Sequence, residues 1–210
     1  DQYRTLHDGP AFAAPAPARR RTVELALQGF RLGGVELESP HRERFMALSE
    51  RQAALAQKFS ENVLDATDAW SLTIADAQQL DGLPADVRDA AREHAKAAGD
   101  DGYRLTLQAP CYIPVMQYAK DRTLREAMYR AYTTRASDSA AAPADPDKRR
   151  ALDNAGVIDE LLALRAEEAG LLGYANFAEV SLVPKMANSP AQVITFLRDL
   201  AARARPFAQR

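Results

Sequence analysis

The sequence predicts a mainly α-helical protein with one small two-stranded β element, on three observations. Apolar residues recur at three- and four-residue intervals along most of the 210 residues. Two short stretches, about 70–75 and 103–108, instead alternate apolar with polar residues. Proline, glycine and small polar residues stand at the joints between the periodic segments, where helices start and stop.

Residues 1–18 carry Gly9, Pro10, Pro15 and Pro17, a spacing that excludes a continuous helix through 10–17 and predicts an entry loop or a short helix and turn. From about Ala18 to Leu32, Val23, Leu27 and Phe30 form an apolar stripe that Gly33-Gly34 terminates. Ser39-Pro40 reads as an N-cap followed by proline at the first helical position. Phe45, Leu48, Leu55, Phe59, Val63 and Ala66 then keep helical spacing toward Trp70, with polar Gln52 interrupting the stripe. About 30 residues at 1.5 Å each make a rod of about 45 Å.

Trp70, Leu72 and Ile74 form the first alternating strand, and Tyr103, Leu105 and Leu107 the second. Leu83-Pro84 opens a helix over 85–98 between them, ended by Gly99, so the strands are expected to pair around it. Ala109-Pro110 stops the second strand, and Pro114 is expected to start a short helix to Ala119. Thr123 and Glu126 have the spacing of a capping box. Leu124, Ala127, Met128, Ala131 and Tyr132 then share one helical face, with Arg122, Arg125 and Arg130 off it and Arg135 near its end. That stretch reads as a buried helix whose arginines pair with acidic neighbours.

Residues 137–147, rich in alanine and proline, read as a surface loop within a single helical body over 1–210. Asp153 or Asn154 begins the next helix, with Val157, Leu161, Leu164 and Leu171-Leu172 apolar and Glu160, Arg165, Glu167 and Glu168 on the wet side. Gly173 stops it, and Tyr174–Leu182 is a short amphipathic piece. Ser189-Pro190 repeats the cap-and-proline device before a last helix marked by Val193, Leu197 and Leu200, with no stop signal before Arg210. No internal repeat of fixed period is present.

Composition is that of an ordinary globular protein, with 47% apolar and 27% charged residues. A net charge of −2 fits no nucleic-acid partner. The basic runs at 19–21 and 148–150 have Glu24, Asp145 and Asp147 beside them and read as solvated turns. No run approaches the roughly 18–20 apolar residues that span a bilayer, so no membrane partner is expected. The 210 residues also show no secretory signal order, and the lone Cys111 fits a reducing compartment.

Standard catalytic constellations are missing. A zinc site takes three or four His, Cys or carboxylate ligands, and the histidines are His7, His41 and His94. His41 and Glu43 read H-x-E without the cysteine pair of a zinc deaminase. His94 has Ala97 and Ala98 where a second ligand would be needed, and H-E-x-x-H occurs nowhere. Cys111 has no histidine near it in sequence and reads as a small hydrophobe; a thiol hydrolase would need activity that survives chelator and is lost on Cys111→Ala. Nucleophile elbow, Walker loop and dinucleotide fingerprint are absent. Glu167-Glu168 and Asp100-Asp101 read as solvated faces and turns. No catalytic residue and no metal ligand can be assigned, and the substrate-binding residues are unknown.

Several stretches nonetheless resemble the M3 metallopeptidases, in particular their oligopeptidase A branch. They are FSENVLDATDAW (59–70), YRLTLQAPCYIPVMQYAKD (103–121), LREAMYRAYTTRASD (124–138), LLALRAEEAGLLGYANFAEVSLVPKMA (161–187) and VITFLRDLAARARP (193–206). The resemblance runs in order over nearly the whole chain. It implies a cytoplasmic zinc endopeptidase that cuts short peptides, with a neurolysin-like fold of two helical lobes flanking a deep channel. Zinc in that family is held by an H-E-x-x-H helix plus a later glutamate, and none of these residues maps onto a position here. The resemblance therefore implies a piece of the non-catalytic lobe that forms channel wall, inactive alone, with zinc expected only in the full-length parent and none here. Its expected partners are short peptides and the remaining catalytic lobe.

The start at Asp1 without Met and the helical end at Arg210 add to the expectation of an interior piece. The alternative is a self-contained helical binding or scaffold module lacking the catalytic half. A piece of a larger body is expected to expose surfaces around Val193, Leu197 and Leu200.

Overall fold

The computed structural model describes residues 2–13 and 17–209, so the expectations at Pro15, Asp1 and Arg210 lie outside the described residues. Helices account for most of it: α1 (Gln2–Asp8), α2 (Pro17–Leu32), α3 (His41–Asp68), α4 (Ala85–Ala98), α5 (Ala109–Tyr118), α6 (Arg122–Thr134), α7 (Pro146–Ala151), α8 (Ala155–Leu171), α9 (Phe177–Leu182) and α10 (Pro190–Ala208). Strands β1 (Ser71–Ile74) and β2 (Tyr103–Thr106) form the single antiparallel sheet among the described residues. The protein is mainly α with a small β element, as the periodicity predicts. Packing divides the chain into two compact units, residues 54–159 and residues 1–53 with 160–210.

In the unit 54–159, Leu72 stands opposite Leu105 and Ile74 opposite Tyr103. α4 crosses between the strands. Its end is a Schellman turn: Gly99 N–H donates to the Lys96 carbonyl and Asp100 N–H to that of Ala95, with Gly99 at φ +78°. Gly102 sits at φ +100°, and a Cβ there would lie 2.4 Å from the Ile74 carbonyl oxygen, so only glycine lets the strands close at this end. Ile74, Leu80, Leu105, Leu107, Val115, Leu124 and Met128 form the core of this unit.

Several local expectations are corrected here. The strands are shorter than their alternation: Leu107 is buried beyond β2, and Gln108 already caps α5. α5 starts at Ala109, not at Pro114, because Pro110 fits the first turn, where no N–H is needed. Pro114 then lies inside the helix. The N-cap of α6 is Asp121, not Thr123: its carboxylate accepts from the N–H groups of Thr123 (2.8 Å) and Leu124 (3.3 Å). A charged acceptor two residues earlier outcompetes the hydroxyl at the positive end of the helix. Glu126 pairs with Arg130 at 2.8 Å instead. On α6, Leu124, Met128 and Ala131 are buried, whereas Ala127 is exposed. Arg125 donates to the Ala119 and Lys120 carbonyls rather than to an acid.

α3 buries Leu55, Asn62 and Ala66 in this unit, and Val63 is only half-buried. Asn62 Nδ2 donates to Asn154 Oδ1 at 2.9 Å, and Asn154 Nδ2 donates to the Phe59 carbonyl at 3.1 Å. The Asn154 N–H donates to the Ala136 carbonyl at 3.0 Å. Asn154 thereby ties α3 to the segment that follows α6, immediately before α8.

In the unit of 1–53 and 160–210, the core is Phe45, Ala169, Leu172 and Val180, with Leu32, Tyr174 and Phe177 against it. α3 begins one residue later than Ser39-Pro40 suggests. Pro40 accepts the first helical bond, from Arg44 N–H at 3.1 Å, and Ser39 Oγ turns to Glu43 at 3.4 Å. α9 starts with a reciprocal cap, Asn176 accepting from Glu179 N–H and Glu179 from Ala175 N–H, both at 3.1 Å. Ser189 caps α10 by accepting from Gln192 N–H at 3.2 Å. α10 ends at Ala208 and leaves Phe196 (63%), Leu197 (53%) and Leu200 (51%) exposed.

Two substitutions test these assignments by urea unfolding. Asp121→Ala is expected to cost about 1 kcal/mol and Thr123→Ala a few tenths, the reverse of the capping-box reading. Asn154→Ala leaves a buried amide and a carbonyl without partners and is expected to cost about 2–4 kcal/mol.

Candidate functional site

The chemistry-bearing side chains are dispersed. His7 Nδ1 lies 2.8 Å from Asp8 Oδ1, and its ring packs on Phe12. His41 is exposed at the start of α3. Among the described residues, no group of three or more His, Cys, Asp or Glu could hold a metal ion. These residues do not fit a zinc site.

Cys111 and His94, far apart in sequence, line one small apolar cleft with Val87, Thr106 and Gln108. Cys111 Sγ accepts from the Thr106 N–H at 3.3 Å. Burial nonetheless pushes the thiol pKa up, which keeps the sulfur protonated and poorly nucleophilic. Asp100 receives Thr73 Oγ1 and Arg104 Nη1, both at 3.2 Å, and so braces the hairpin.

Glu160 and Glu167, expected on the wet side of α8, keep 40% and 42% of their side chains exposed and pair with α3 from there. Arg51 grips Glu160 through Nε (2.5 Å) and Nη2 (2.7 Å), and Arg44 grips Glu167 through Nε (2.6 Å) and Nη2 (2.7 Å). Gln52 donates to Glu168 at 2.6 Å, which accounts for the polar interruption of the α3 stripe. The arginine hydrogen bonds hold both glutamates below the usual carboxylate range. Two open clefts in the same unit, about 420 and 440 Å³, share Tyr174 and Val183. Their charged groups are of both signs, Arg4, Arg31 and Glu36 in one and Glu179 and Lys185 in the other.

One constellation was not legible in the sequence. Tyr112 on α5 stacks on Tyr132 of α6, with ring centroids 4.1 Å apart and planes 12° from parallel. The Arg135 guanidinium lies over the Tyr132 ring, 3.7 Å from its centroid. The three-residue step from Tyr132 to Arg135 is a helical neighbour signal; the arrival of Tyr112 has no local signature.

A sequence model of Peptidase family M3 matches residues 115–210. The chain is 45% identical over 204 residues to oligopeptidase A of Salmonella typhimurium, covering 97% of this chain and 29% of that protein. Oligopeptidase A of Escherichia coli is 44% identical over the same shares, and that of Haemophilus influenzae 42%. The chain thus spans 29% of the length of these relatives.

Two measurements probe the groups described. Carboxylates with lowered pKa support the fold fully above their unfolded values and lose that support as pH falls through the lower folded values. The urea midpoint is therefore expected to fall from about pH 6 to about pH 3, and to fall less in an Arg44→Met, Arg51→Met variant. Alkylation of Cys111 by iodoacetamide at about pH 8 is expected to be about tenfold slower than for free cysteine, and to recover in urea.

Proposed function

We propose that this chain, which belongs to peptidase family M3, forms part of the substrate-channel wall of a longer zinc-dependent oligopeptidase that hydrolyses short peptides. The observation that carries this reading is the alignment of 97% of the chain within a 29% share of oligopeptidase A. Zinc and the groups that activate water come from residues outside these 210, so the chain alone is inactive. Its wall acts by shape and polarity, excluding folded proteins and admitting extended chain. The remaining catalytic lobe of the same polypeptide is its partner. The exposed Phe196, Leu197 and Leu200 of α10 support this, since such apolar surface is normally covered. The parent works in the cytoplasm.

A second reading is a self-contained helical binding module. It is favoured by one observation, that each compact unit encloses its own apolar core.

The test is hydrolysis of a quenched fluorescent peptide by the purified chain, with added zinc and then with chelator. No turnover is expected in either condition. Zinc-dependent turnover that follows the 210-residue species would overturn the inert-wall reading.

A further inference from the structure

We infer that Arg135, stacked on the Tyr112–Tyr132 pair near Tyr129 in sequence, is a binding site for a carboxylate. All four residues belong to the compact unit 54–159. The Tyr112–Tyr132 stack is a rigid platform, and the guanidinium lies 3.7 Å from the Tyr132 ring centroid. A cation on an aromatic face keeps a fixed orientation and remains able to bond in its own plane.

The hydrogen bonds of Arg135 are incomplete. Nη1 donates to the Tyr132 carbonyl, as a cation at a helix C-terminus does. That bond explains Nη1 only. Nε is enclosed and has no acceptor, and enclosed donors are nearly always satisfied. No carboxylate among the described residues pairs with this guanidinium. Arg44 and Arg51 show what the Nε–Nη2 edge does in this chain: both present it to a glutamate, at 2.5–2.7 Å. In Arg135 the opposite nitrogen is occupied, and this same edge meets no acid.

The tyrosines complete the site. Arg135 is partly exposed, so a ligand can approach from solvent. Burial and the neighbouring Tyr132 and Tyr129 push the Tyr112 phenol up, while Arg135 pulls it down. The three phenols and the guanidinium thus share one electrostatic neighbourhood. A carboxylate arriving from solvent takes Nη2, which unlike Nε is not enclosed, with Nε beside it on the same edge.

The ligand chemistry has two sources, a peptide C-terminus or an aspartate or glutamate side chain, and the experiment separates them. The inference goes beyond the peptidase reading and does not require it. Its readout is binding, so absence of hydrolysis leaves it untouched. The ¹⁵N-labelled chain is titrated with N-acetyl-trialanine as free acid, with the same peptide as amide, and with sodium acetate, following the Arg135 Nε–H resonance. A saturable shift with the free acid and with acetate, and none with the amide, is expected. Binding of the free acid about tenfold or more tighter than acetate identifies a peptide terminus; equal affinities identify a side-chain carboxylate. Arg135→Lys, which keeps the charge but not the fork, is expected to weaken binding about tenfold. No shift with either acid, or an equal shift with the amide, overturns the site. Through-bond assignment on the native chain makes that outcome decisive even if Arg135→Lys does not fold.

Discussion

Asn154 accepts from Asn62 and donates to the Phe59 carbonyl, two buried bonds that fix where the start of α8 meets α3. Asn62 is one of seven α3 positions, Phe45, Leu48, Gln52, Leu55, Phe59, Asn62 and Ala66, spaced alternately by three and four residues. That is a heptad seam, and a polar residue in such a seam specifies register at some cost in stability. A slip of one turn would leave the Asn62 amide against apolar atoms, where an unpaired donor costs about 1–3 kcal/mol. In the other unit Gln52 plays the corresponding part against Glu168, with Arg44 and Arg51 bidentate on either side. Exposed ion pairs contribute little to stability, but paired forks of fixed geometry exclude alternative alignments.

Helix existence was legible because the punctuation was unambiguous. Pro84 and Gly99 bracket α4, and Ser189-Pro190 opens α10, since each residue type there has one physical use. Errors arose where two residues competed for one task. Asp121 and Thr123 are both competent caps two positions apart, and only the folded geometry shows that the carboxylate takes the free N–H groups. Pro114 has the chemistry of a helix start but follows Pro110, which had already filled that role. The solvated acids of α8 also hold ion pairs, which went unread because their partners lie more than 100 residues away in sequence, as Arg51 and Glu160 show. Local patterns contain no information about such pairings.

Functional residues were less legible than the fold, for a related reason. The histidines read as non-ligands because metal ligation needs several groups at set spacings. Arg135 could not be singled out, because its surroundings come from α5 and its incomplete bonding is visible only in three dimensions. The likeness to peptidase family M3 came from long ordered runs of resemblance, not from any reactive group. Chemistry and ancestry are separable sources of inference, and here only ancestry speaks to hydrolysis.

α8 shows how charged and apolar groups can both serve packing without forming a reactive centre. Its glutamates face α3, yet Ile158 (44%) and Leu162 (58%) are exposed, so its apolar residues are not confined to one stripe. A helix apolar on more than one side offers more than one face for packing. α10, with Phe196 and Leu197 uncovered, has the same character. In each unit a polar pairing fixes how α3 meets α8, through Asn62 and Asn154 in one and the arginine forks in the other, and neither arrangement calls on a nucleophile.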